Sequence, residues 1–392
     1  MNTPFARGLA KATELTKSGN LKEATALIQS LLRPAPEAAA RPMADADDVI
    51  EGTATRIDDP AAKPTQPVEA NAPRAARMGL GATLRGLAER ALARSAGSVA
   101  PPDVPRGAQF LSLSHRSAHG IRDYRLYVPA SHRADVPMPL VVMLHGCTQS
   151  PEDFATGTGL NALAEEYGCL VAWPQQPSSA NVNKCWNWFQ AEDQAEGRGE
   201  PALLAGIVTD ILRSHCADPA RVYVAGLSAG GASAAIMGAA YPRIFAAVGV
   251  HPGLPVGGAT DIPSAFAAMR SGSTGTVQKT AVPTIVFHGL DDTTVHPKNG
   301  EAVVTQALQA TPGLRPVRRS GVSGMGRKYR QTRHLDAFDR SVVEHWEIEG
   351  AGHAWSGGMP GGSFTDPKGP AASREMMRFF LQHRQGVLPP QA

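Results

Sequence analysis

Residues 221–231 read RVYVAGLSAGG. The first half has the β-branched and aromatic content of a buried strand. It breaks off at Gly226-Leu227-Ser228-Ala229-Gly230, and a chain that merely turned would not need a hydroxyl held between glycines. The following stretch, GASAAIMGAAY, is rich in small, helix-compatible residues. Strand, tight turn and helix in that order describe a nucleophile elbow, in which the flanking glycines let backbones crowd together while the serine Oγ projects into a crevice. The plainer reading of Ser228 is a cap for that helix.

Outward from this stretch the texture is regular. RDYRLYVPA alternates like a strand, whereas MPLVVMLHGC, CLVAWP, RVYVAG and PTIVFHG are short apolar runs ending in turn residues, and VEHWEIEG is the last of the series. NALAEEYG and PALLAGIVTDILRSH have helical spacing. Strands alternating with helices imply an α/β fold with a mostly parallel sheet covered on both faces. Ligands in such sheets gather at the carboxyl ends of the strands, and every chemically conspicuous residue here lies just after one.

A serine hydroxyl needs a histidine to take its proton and a carboxylate to orient that histidine. The expected chain order is serine, acid, histidine. TIVFHGLDDTTVHP places Asp291 and Asp292 in a loop after a buried strand, and EHWEIEGAGHAWSGG places His353 in a glycine-rich loop after the last strand. Asp292 is the expected acid, with Asp291 as the solvated or turn-bonding neighbour. His353 has rivals: His288 and His345 lie in or at the end of strands, His251 precedes the acid, and His296 follows Asp292 too closely. An acyl-transfer site also needs backbone N–H donors for a developing oxyanion. Ala229, next to the serine, supplies one, and VVMLHGCTQS supplies the other through Cys147; the alternative for that loop is an ordinary strand-ending turn. In NKCWNWFQ, Trp186 and Trp188 either seal the core or form an apolar wall for substrate, and Trp355 adds to the same group.

Bulk properties set the frame. The 392 residues carry 38 Lys+Arg against 35 Asp+Glu, a net charge of +3, which leaves no nucleic-acid footprint. No window approaches the roughly 20 apolar residues of a membrane-spanning helix, so no integral membrane association is expected. The amino terminus lacks the compact apolar core of a secretory signal. Residues 1–32 read as a helical hairpin appendage. Residues 33–107 read as a low-complexity linker holding one amphipathic helix at about 80–94, and residues 108–386 as the catalytic domain. The amphipathic helix has two readings, a surface helix docked on something apolar or an attachment to a membrane or storage-granule surface. The cysteines are Cys147, Cys169, Cys185 and Cys216. They allow three fully paired connectivities, among which spacing does not choose, and show no metal spacing.

Taken together, PLVVMLHGCTQSPEDFATGTGLNALAEEYGCLVAWPQQ, CWNWF, DPARVYVAGLSAGGASAAIMGAAYPRIFAAVGVHPGLP, IVFHGLDDTTVHP, GAGHAWSGG and FTDPKGPAASREMMRFFL resemble the polyhydroxybutyrate depolymerase-like esterases. These are a branch of the α/β-hydrolase superfamily that includes feruloyl and acetylxylan esterases. The matching stretches span about residues 108 to 384. The resemblance implies an α/β-hydrolase fold and a serine carboxylic-ester hydrolase. Its nucleophile would be Ser228, its acid Asp292, its base His353, and Cys147 would sit at the oxyanion hole. It also implies a disulfide between Cys147 and Cys185, no cofactor and no metal, a small or polymeric ester as substrate, and an extracellular location; a cytoplasmic location is the alternative reading. No separate polymer-binding module is legible after the catalytic region, so short, soluble or amorphous esters such as oligo-3-hydroxyalkanoates are expected rather than crystalline polymer. The alternatives are a feruloyl or acetylxylan-type substrate, an acyltransferase with an alcohol in place of water, and a granule-surface binding protein held by its N-terminal helices with residual esterase activity.

Overall fold

Strands that are apolar on both faces belong in the middle of a sheet covered from both sides. The computed structural model, which describes residues 102–278 and 282–386, puts them there. Strand β3 (Met138–Leu144) is buried along its whole length. Its alternate residues go to different layers: Leu140, Val142 and Leu144 join one hydrophobic cluster, and Val141 and Met143 the other. The same alternation splits β5 (Ala217–Leu227), whose Val222 and Val224 face one way and Tyr223 and Ala225 the other.

Ten strands form one sheet in the order β1-β2-β4-β3-β5-β6-β7-β10-β9-β8. Its middle is parallel: β4 (Leu170–Pro174), β3, β5, β6 (Ala247–His251), β7 (Thr284–Gly289) and β10 (Ser341–Ile348). Antiparallel pairs extend both edges, β1 (Gln109–Ser117) with β2 (Gly120–Val128) on one side, and β9 (Lys328–Leu335) with β8 (Arg315–Val322) on the other. One face of the sheet is covered by α3 (Gly199–Ser214), α4 (Ala229–Ala240), α5 (Ile262–Ser271) and α6 (Lys298–Ala310). The other is covered by α1 (Pro151–Thr158), α2 (Leu160–Tyr167) and α7 (Ala372–Phe380). The remaining strands, β11 (Trp355–Ser356) and β12 (Thr365–Asp366), form a small parallel pair.

The turn between β5 and α4 is where backbone crowding is greatest. A Cβ on Gly230 would collide with the carbonyl oxygens of Leu144 and His145, and one on Gly226 with the backbone of Gly230. Glycine at both positions lets β5 lie against the end of β3 while the helix starts at once. The expected helical hairpin of residues 1–32 and the amphipathic helix at about 80–94 lie outside the described residues. Among the described residues, no helix is long and apolar enough to cross a membrane.

Candidate active site

Ser228 sits between β5 and α4 with φ +59° and ψ −119°. A non-glycine residue in such a conformation carries about 1–3 kcal/mol of strain and persists only where its surroundings hold it. Here the Ser228 N–H donates to Pro252 O at 2.7 Å and to His251 O at 3.2 Å. The residue lines a cavity of about 590 Å³ that also takes in His353, Cys147 and Ala229.

The loop after β7 presents Asp292, whose side chain is fully buried. Its Oδ1 accepts from the backbone N–H groups of Thr294 (2.8 Å) and Val295 (2.9 Å), and its Oδ2 accepts from His353 Nδ1 at 2.8 Å. Burial pushes this carboxyl up, but the charge and hydrogen bond of His353, the Val295 N–H and the nearby His288 outweigh it and hold the group below its ordinary value. With Nδ1 occupied, His353 keeps Nε2 for proton transfer. Asp291 is exposed, and its N–H donates to Ala351 O, which pins the His353 loop to the Asp292 loop.

The rival histidines are otherwise engaged. His251 is buried, stacked between Phe287 and Trp355 at 5.4 and 4.8 Å, and its Nε2 accepts from the Ser356 N–H. Burial holds its pKa well below the usual histidine value, so it stays neutral. His288 Nε2 donates to Val295 O at 2.8 Å, steadying the turn that wraps Asp292. His296 Nδ1 accepts from the Lys298 N–H, and burial pushes His345, inside β10, down to about 4.

Two amides are available for an oxyanion. Ala229 is the first residue of α4, so its N–H has no acceptor within the helix, and the helix dipole favours negative charge there. In the loop after β3, the Gly146 N–H is taken by Gln149 Oε1 at 2.9 Å and the Thr148 N–H by Asn183 O at 2.7 Å. Among the described residues the Cys147 N–H has no protein acceptor. Cys147 is joined to Cys185 by a disulfide that closes 38 positions of chain and ties this loop to the CWNWF segment.

The three tryptophans separate. Trp188 lines the cavity; Trp186 and Trp355 are fully buried and do not reach its surface. Trp186 lies behind the loop and donates from Nε1 to His145 O at 3.0 Å, and Trp355 donates from Nε1 to Ser373 Oγ at 2.9 Å. Adjacency in the sequence could not tell an indole facing the cavity from one supporting it. Part of the apolar wall comes instead from α5, whose Ile262, Ala265, Phe266 and Met269 recur at helical spacing toward the cavity. This helix is well started: Asp261 Oδ1 accepts from the Ser264 N–H at 2.8 Å in a capping box. The Asp-x-x-Ser pattern ahead of that stripe was a sequence signal for it. Gln149, which also donates to Asp153 at 3.0 Å, carried none, since its partners depend on the fold. Apart from His353, no ionisable side chain lines the cavity among the described residues. Nor do the described residues hold a group of three or more His, Cys, Asp or Glu side chains placed to bind a metal ion.

The sheet order and the serine elbow define an α/β-hydrolase. A solved acetyl xylan esterase from Aspergillus awamori shares this fold, with a TM-score of 0.55 at 20% identity, covering 70% of this chain and 98% of that one. The family model described as "Esterase PHB depolymerase" matches residues 122–321, and the chain belongs to that family. It is 34% identical over 250 residues to a poly(3-hydroxyalkanoate) depolymerase C of Paucimonas lemoignei, covering 58% of this chain and 57% of the relative. It is 30% identical over 203 residues to a feruloyl esterase B of Thermothelomyces thermophilus, covering 46% of this chain and 68% of the relative. The chain thus spans between half and about two thirds of the length of such relatives.

Proposed function

We propose that this protein hydrolyses carboxylic esters through an acyl-enzyme on Ser228. The observation that carries the reading is the buried Asp292 carboxylate bonded to His353 Nδ1, with His353 and the strained Ser228 facing one cavity. Ser228 Oγ attacks the ester carbonyl while His353 Nε2 takes its proton. The tetrahedral oxyanion is met by the N–H groups of Cys147 and Ala229, and Asp292 stabilises the imidazolium. Collapse returns the proton to the departing alcohol. Water then attacks the acyl-enzyme by the same route and frees Ser228.

The cavity also bears on substrate. Its walls include Trp188, Phe189, Phe266 and Phe364, and among the described residues they carry no ionisable side chain other than His353. Uncharged esters with an apolar acyl or alcohol part fit such a surface, because a carboxylate or ammonium would be desolvated there without a partner. Oligomers of 3-hydroxyalkanoates are the favoured class, in keeping with the family and with the names of its depolymerase members. The aromatic lining supports a second reading, a feruloyl-type ester. Turnover of a 3-hydroxybutyrate oligomer compared with methyl ferulate separates the two. An organophosphonate adduct mapped to Ser228 by peptide mass supports the mechanism, and labelling elsewhere with Ser228 unmodified contradicts it.

A further inference from the structure

A backbone amide that serves a reaction must be aimed by something. We propose that His145, through its Nδ1–H bond to the Gly146 carbonyl, is the positioning residue that aims the Cys147 N–H at the oxyanion; this inference rests on the esterase reading above.

Both ring nitrogens of His145 are committed. Nε2 lies 3.1 Å from the backbone nitrogen of Gln176, which can only donate, so Nε2 is the unprotonated acceptor. The ring hydrogen is therefore on Nδ1, 2.7 Å from Gly146 O, and it donates to that carbonyl. The Gly146 C=O and the Cys147 N–H belong to one planar trans peptide and point in opposite directions. Anchoring the carbonyl on the buried side leaves the N–H facing the cavity. Gln149 holds both sides of Gly146: its Oε1 accepts from the Gly146 N–H of the preceding peptide, and its backbone N–H donates to Gly146 O at 3.3 Å, a longer bond than the one from His145.

The tautomer is held in turn by neighbours with little freedom. Gln176 is fully buried; its side chain donates to Cys185 O at 2.9 Å and to Glu200, and accepts from Arg122 at 2.5 Å. Trp186 donates to His145 O, and the two rings lie 5.5 Å apart. Burial pushes the imidazole down to about 4, which favours the neutral ring. A charged imidazolium would lose the Gln176 bond.

Asparagine and glutamine separate the two ring positions. In His145→Asn the side-chain amide nitrogen falls near the place of Nδ1 and can still donate to Gly146 O. In His145→Gln the amide reaches the place of Nε2, satisfying Gln176 but leaving Gly146 O with only the longer 3.3 Å bond from the Gln149 N–H. We expect His145→Gln to lower kcat about tenfold to a hundredfold with KM within about twofold, and to weaken binding of an alkyl boronic acid, a tetrahedral mimic, by a similar factor. His145→Asn should recover most of both. Equal kcat and boronate affinity in the two variants, or a greater loss in His145→Asn, overturns the assignment. Ser228→Ala run alongside tests the underlying reading: turnover there sinks the esterase mechanism itself, whereas an inactive Ser228→Ala with a fully active His145→Gln sinks only the role given to His145.

Discussion

His353 Nδ1 donates to Asp292 Oδ2 across 2.8 Å although 61 positions of chain separate the two residues. Replacing the carboxylate by an amide leaves the shape intact but turns a hydrogen-bond acceptor toward the wrong tautomer or a donor toward the ring. We expect Asp292→Asn to lower kcat by roughly 10³–10⁴. Asp291→Asn, at the exposed neighbour, should stay within about twofold in steady-state kinetics. A reversal of the two would move the acid by one residue.

Gly230 is a packing requirement as much as a motif residue. A methyl group there meets the carbonyl oxygens of Leu144 and His145, which belong to the strand end and cannot swing away. Gly230→Ala should destabilise the fold by at least about 2 kcal/mol in urea unfolding and remove activity together with it. An unchanged unfolding midpoint would show that the elbow is looser than described.

The Cys147–Cys185 bond closes 38 positions and holds the loop that carries the Cys147 N–H. Its reduction should lower stability by about 2–4 kcal/mol and reduce kcat more than it changes KM, read by calorimetry and ester assay before and after dithiothreitol. Cys169 is a buried thiol that desolvation pushes up to about 12, so alkylation of the native protein should miss it.

Glu200 gives the protein a pH-dependent stability. Burial raises its carboxyl from 4.5 to about 7, despite the bond it accepts from the Asn187 N–H and the attraction of Arg122. The folded state thus holds its proton more tightly than the unfolded state, and unfolding between those values releases it. Stability from this group is present below about 4.5 and falls as pH rises to about 7. The loss is up to about 3 kcal/mol. Glu200→Gln should flatten the decline in thermal midpoint between pH 5 and pH 8; an unaltered slope would assign the dependence to another group.

The parallel middle of the sheet was legible because runs such as PLVVML and VYVAG are buried on both sides and must be apolar at every position. The antiparallel pair beyond β10 was not. RPVRRSGV and KYRQTRHL are mostly exposed or half-buried, so no hydrophobic pattern distinguishes β8 and β9 from a polar loop. At the site, chain order and loop placement were enough to nominate Ser228, Asp292 and His353. The residues that support them, Gln149, Gln176 and Glu200, are buried polar groups whose partners come from distant loops, and their chemistry alone does not announce them.

The most direct test of the whole account is hydrolysis of a short p-nitrophenyl ester by Ser228→Ala beside the unaltered protein, with thermal melting as a check on the fold. A fall of at least about 10³-fold in kcat with an unchanged melting midpoint is the expected result. Turnover near that of the unaltered protein from a fully folded Ser228→Ala would contradict it.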